Sequence, residues 1–95
     1  MTWMVTGAAG FIGSNLVRLL RARHPSRRIV SLDALTYAGD ASAFDVFAGD
    51  PLHVFVRADI RDREAVRAVL AEHGVTGVFH LAAEEESAGE VTWSA

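Results

Sequence analysis

The chain has 95 residues, with nine Arg, no Lys and no Cys, and its twelve acidic residues give a formal net charge of −3. That length allows one domain at most, and the lack of thiols excludes disulfides and thiolate metal sites. There is no basic footprint for nucleic acid and no apolar run near the roughly 18 residues a membrane span requires. Charge is unevenly placed: residues 1–83 hold all nine Arg and eight acids, while 84–95, "EEESAGEVTWSA", hold four Glu and no base.

The opening "MTWMVTG" lacks a basic stretch and a cleavage-like site, so no signal peptide is expected, and a cytoplasmic protein is. Thr2–Thr6 reads as a buried strand running into glycine. Phe11–His24 changes to a helical period, with Ile12, Leu16, Leu19 and Leu20 on one face and Arg18, Arg21 and Arg23 mostly on the other. Pro25 ends that helix. Arg28–Asp33 is a second strand, and Ala34–Pro51 is a longer connection with a short helix near Ala41–Phe47. His53–Asp59 is a third strand. Arg61–Gly74 is a second helix, with Asp62 as N-cap, Glu64 in the first turn, Val66, Val69 and Leu70 as its apolar stripe, and Gly74 as its stop. Gly77–Ala83 is a fourth strand.

Strands with little alternation, interleaved with periodic helices, specify an α/β fold. We expect a partial Rossmann-type doubly wound parallel sheet of about four strands in the order 3-2-1-4, with helices on both faces. Residues 1–83 would form the N-terminal part of a dinucleotide-binding domain, and 84–95 an acidic tail. The fourth strand would then be an open apolar edge, which predicts marginal stability and self-association through it.

The stretch "VTGAAGFIG", Val5–Gly13, carries the chemistry. Gly7, Gly10 and Gly13 lie where a strand must turn tightly into a helix, let a pyrophosphate approach the backbone, and pack that helix close to the sheet. The helix N-terminus near Phe11 would supply free N–H groups and the positive end of a dipole. The alternative is a tight structural turn. Asp33 ends the second strand twenty residues beyond Gly13. A carboxylate there accepts hydrogen bonds from ribose hydroxyls and repels a 2′-phosphate; Ala34, not Arg, follows it, which favours NAD over NADP. Asp59 ends the third strand and either reaches the adenine side or caps the helix that follows.

These residues carry a resemblance. "TGAAGFIGS" resembles the glycine fingerprint of the extended short-chain dehydrogenase/reductases. "LDALTYAGD", "ADIRD" and "HLAAE" narrow it to the dTDP-glucose 4,6-dehydratase family, from about Trp3 to Glu84. The resemblance implies that Gly7, Gly10, Phe11, Ile12 and Gly13 bind the NAD pyrophosphate. It implies that Asp33, Ala34, Leu35 and Thr36 surround the adenosine ribose, and that Asp59 and Ile60 flank the adenine. Leu81, Ala82, Ala83 and Glu84 would line the path to the nicotinamide half. In the family, NAD takes a hydride from C4 of the sugar of dTDP-glucose, water is eliminated across C5–C6, and the hydride returns to C6.

The chain departs from the family after Glu84, where Glu85 and Glu86 stand in place of a hydroxyl residue and a His. The family also uses a Tyr-x-x-x-Lys pair, in which the Lys lowers the Tyr pKa. Tyr37 is the one tyrosine here, Ala41 follows it at that spacing, and there is no Lys. No catalytic and no metal residue is therefore assigned. His24 and His73 suit helix C-termini, His53 starts a strand, and His80 reads as a hydrogen-bonded core residue. The expectation is weak NAD binding without catalysis in a truncated, frameshifted or excised piece of such an enzyme, with a sugar nucleotide as partner only by resemblance. The alternatives are a stand-alone nucleotide-binding or interaction module, and a piece of a related NAD-dependent sugar-nucleotide epimerase.

Overall fold

In the computed structural model, residues 1–35 and 41–81 are described, without the side chains of 41–43. The elements in chain order are β1 (Thr2–Thr6), α1 (Phe11–Arg23), β2 (Arg28–Asp33), a 3-10 segment (Ala41–Phe47), β3 (His53–Arg57), α2 (Arg63–Glu72) and β4 (Val75–His80). All strand pairs are parallel and the order is β3-β2-β1-β4. This is the expected half of a doubly wound sheet.

Alternation along β1 divides the core in two. Met4 packs with Val30, Leu32 and the α2 residues Val66, Val69 and Leu70. Val5 packs on the other face with Ile29, Phe44 and the α1 residues Val17 and Leu20. Each face of the sheet thus has its own helix, as βαβ crossovers require. The α2 stripe and the Asp62 cap are as expected: the Asp62 side chain accepts from the Ala65 N–H at 3.1 Å, and Gly74 turns out of the helix with φ at 61°.

Four expected details are corrected. The inward face of α1 is Gly13, Val17 and Leu20, and Ile12 and Leu19 are exposed. Gly13 brings the helix so close to the loop that it sets which face turns inward. β3 ends at Arg57: the Ala58 N–H makes the last ladder bond, onto the Asp33 carbonyl, and the chain then turns. α2 starts at Arg63 rather than Arg61, since Asp62 is its cap. β4 runs from Val75 to His80: it pairs with Thr2 directly after Gly74, then bulges before Gly77 meets Trp3.

Gly77 is where the Trp3 indole lies; a Cβ there would sit 2.9 Å from Trp3 Cδ1. The same indole makes an edge contact with Phe79, and the Arg27 guanidinium lies 3.8 Å from the ring centroid. Trp3 is thus a packing residue. The end of α1 is held by Arg21, which pairs with Asp50 at 2.9 Å and donates to the carbonyls of His24, Pro25 and Arg27. Among the described residues no helix is long and apolar enough to cross a membrane.

Candidate functional site

The site forms where β1 and β2 end. Beyond Thr6 the chain enters the left-handed region at Gly7, φ 65°, which glycine adopts without steric cost. The Gly10 N–H closes a turn onto the Gly7 carbonyl at 3.2 Å, and α1 opens with the Ser14 N–H on the Gly10 carbonyl. A Cβ on Gly13 would lie 2.1 Å from the Gly7 carbonyl oxygen and 2.8 Å from Ala8 Cα. Hydrogen alone fits there. The helix therefore starts directly against the turn, as the fingerprint predicts.

The N-cap Gly10 supplies no side-chain hydrogen bond, and the first turn of α1 carries no acid. By helix geometry the N–H groups of Phe11, Ile12 and Gly13 have no acceptor within the helix. Three donors and the positive end of the dipole thus point out of the loop, the chemistry that suits a pyrophosphate. Phe11 and Ile12 flank them, 85% and 70% exposed.

Asp33 is 3% exposed. Its Oδ2 accepts the Ala9 N–H at 2.9 Å and its Oδ1 accepts the Leu35 N–H at 2.8 Å. The carboxylate is thus tied to the glycine loop on one side and to its own following turn on the other. Leu35 has φ at 58°, a conformation that costs a branched side chain about 1–2 kcal/mol. Strain of this kind collects at ligand-holding turns. Neither the Ala9 contact nor the Leu35 backbone has a sequence signal of its own.

The third strand's end is arranged differently. Asp59 makes a forked ion pair with Arg61, 2.6 Å at the shortest, and also accepts the Arg61 N–H. Those hydrogen bonds hold its carboxyl below the usual range. Ile60 is a core residue packed with Met4 and Val66. At the end of β1, Thr6 Oγ1 lies 2.8 Å from His80 Nδ1 and accepts the Leu81 N–H at 3.0 Å. Burial lowers the His80 pKa. The hydrogen bond expected of His80 is thus present, but its ring is only partly buried rather than part of the core. Thr36, Tyr37, Ala82, Ala83 and Glu84 lie outside the described residues. Among the described residues no group of His, Asp and Glu could hold a metal ion.

The uncapped α1 N-terminus, the Gly13 contact that only hydrogen fits and the twice-anchored Asp33 together suit a dinucleotide. The sequence pattern of the NAD dependent epimerase/dehydratase family matches residues 3–94, which takes in most of the acidic segment as well. A dTDP-glucose 4,6-dehydratase of Xanthomonas campestris is 47% identical over 83 residues, covering 87% of this chain and 23% of that protein. The solved dTDP-glucose 4,6-dehydratase of Bacillus anthracis, in complex with NAD, superposes with a TM-score of 0.84 at 35% identity, over 90% of this chain and 28% of that one. A UDP-glucose-4-epimerase of Stenotrophomonas maltophila with bound NAD follows at 0.76 and 37%, over 90% and 25%. The chain spans about a quarter of the length of the curated relatives it matches. With its glycine turn, its Asp33 and a family match over nearly every residue, the chain belongs to the NAD dependent epimerase/dehydratase family.

Proposed function

We propose that this chain is the NAD-holding part of a sugar-nucleotide dehydratase of the dTDP-glucose 4,6-dehydratase type. The observation that carries this is the Gly13 contact, which seats the helix N-terminus against the glycine turn. The N–H groups of Phe11, Ile12 and Gly13 hold the pyrophosphate. Asp33 receives the ribose hydroxyls and disfavours a 2′-phosphate. Ala34, Leu35 and Thr36 enclose that ribose, Asp59 and Ile60 stand on the adenine side, and Leu81 to Glu84 lead towards the nicotinamide. NAD, when bound, supplies the hydride acceptor.

The 95-residue chain holds the cofactor weakly and does not turn over dTDP-glucose. It has no Lys to pair with a tyrosine, and Tyr37 has Ala41 at the required spacing. Titration with NAD tests this. Binding in the upper micromolar to millimolar range with no dehydration of dTDP-glucose is expected, and no saturable binding would overturn it. Since UDP-glucose-4-epimerase is also a structural neighbour, an epimerase piece is the second reading. The similarity of "LTYAG" to the dehydratases favours the first.

A further inference from the structure

The end of β3 brings one more charged group to the adenosine side of the site. Asp33 and Arg57 are direct partners in the parallel pairing of β2 and β3, so their side chains leave the same face of the sheet. Ile29 and Phe55, an even number of residues back along each strand, place that face under α1. Asp33 is buried, with each carboxylate oxygen receiving a backbone N–H. Arg57 is exposed, and its Nε donates to the Ala34 carbonyl at 3.3 Å. The two ion pairs among the described residues are Arg21–Asp50 and Arg61–Asp59; among those residues Arg57 has no carboxylate partner.

Opposite charges therefore flank the turn expected to hold the ribose, where NAD and NADP differ by a 2′-phosphate. A carboxylate there accepts from a 2′-hydroxyl and repels the phosphate. A guanidinium presents a planar fork of donors that matches a phosphate. We propose that Arg57 is a second cofactor-discriminating residue. Its guanidinium takes the 2′-phosphate of an adenosine ligand once the Asp33 carboxylate is neutralised, and the preference of the native chain is the balance of the two charges. This rests on the adenosine-holding role proposed above.

The test uses two probes that differ only in the 2′-phosphate, 5′-AMP and 2′,5′-ADP. They are titrated by NMR chemical shift, which reaches millimolar affinity, into the full 95-residue chain and into Asp33→Asn, Arg57→Gln and the double variant, each checked for folding by circular dichroism. Asp33→Asn should raise the affinity for 2′,5′-ADP relative to 5′-AMP about tenfold. The double variant should lose that gain, and about 0.5 M salt should shrink it. A gain that persists without Arg57, or no gain while 5′-AMP still binds, overturns the inference and leaves the adenosine site standing. Should Asp33→Asn fail to fold, Arg57→Gln alone decides: the ratio of 2′,5′-ADP to 5′-AMP affinity falls several-fold, and an unchanged ratio overturns the proposal. If neither 5′-AMP nor NAD binds the native chain, the adenosine reading itself falls and this proposal with it.

Discussion

Two glycines in the described chain separate two physical reasons for having no side chain. At Gly13 the obstacle is backbone: a methyl group would meet the Gly7 carbonyl oxygen and Ala8 Cα, and neither can swing aside as a side-chain tip can. Gly13→Ala should therefore push α1 off the turn and cost about 2–3 kcal/mol, read as a lower urea midpoint. Gly74 has open space where a Cβ would go, but its φ is 61°. Gly74→Ala should cost only about 1 kcal/mol, the left-handed backbone penalty alone. Equal losses at the two sites would contradict the close-contact account. The same scale explains what the sequence revealed of the site. Gly13 and Asp33 stand at a recognisable spacing and were legible. The anchoring of Asp33 by the Ala9 N–H and the positive φ of Leu35 were not, because both depend on how the two βα turns meet in space.

At the level of elements, boundaries followed local chemistry where local chemistry decides. β1, β2 and the 3-10 segment lie within their expected bounds, framed by Gly7, Pro25 and the long connection. The inward face of α1 did not, since the apolar pattern offers Ile12 and Leu19 as readily as Val17, and the choice is made by Gly13 in tertiary contact. Arg21 is the corresponding anchor at the other end of that helix. Its side chain is 11% exposed and reaches Asp50 and three carbonyls. Arg21→Ala should cost about 1–3 kcal/mol in urea unfolding, by removing the one partly buried donor group that ties Asp50 to these carbonyls. The 3-10 segment is held by ring contacts of Phe44 and Phe47 with His53, whose Nε2 is 2.8 Å from Ser31 Oγ. Burial pushes the His53 pKa below 6.5 despite the opposing field of Asp50, and burial does the same at His80. The unfolded chain therefore takes up these protons at a higher pH than the folded one. The stability they contribute is whole above about pH 6.5 and is lost as pH falls through the folded values. Thermal midpoints should drop between pH 7.5 and 5.5, and His53→Gln should reduce that drop. A pH dependence untouched by this variant would rule out His53 as its source.

The order of the whole sheet was legible because strand spacing and the handedness of crossovers leave few alternatives. The state of its margin was only half legible: β4 begins two residues earlier than the apolar run suggested, since Val75 already pairs with Thr2 ahead of the bulge at Thr2/Trp3. Among the described residues β4 pairs on one side only, with β1. Its stretch Val75–Leu81 carries no charged residue apart from His80, whose pKa is lowered, and Val78, Phe79 and Leu81 are each more than a third exposed. Charge, proline or a covering element commonly blunts such an edge; the bulge lies near the start of β4, leaving Gly77–His80 paired in regular register with β1. Backbone donors and acceptors along the outer side of β4 are therefore placed to pair with a second strand, and the apolar side chains beside them lose water in doing so. The 95-residue chain should accordingly sediment as a mixture whose weight-average mass rises with concentration. Val78→Lys should return it to monomer, because lysine at the rim makes close approach of two copies costly, while circular dichroism stays native. A native chain that remains monomeric at high concentration would show that this edge does not self-pair. A Val78→Lys chain that still associates would place the contact elsewhere, with the exposed Phe11 and Ile12 at the start of α1 as the next surface to substitute.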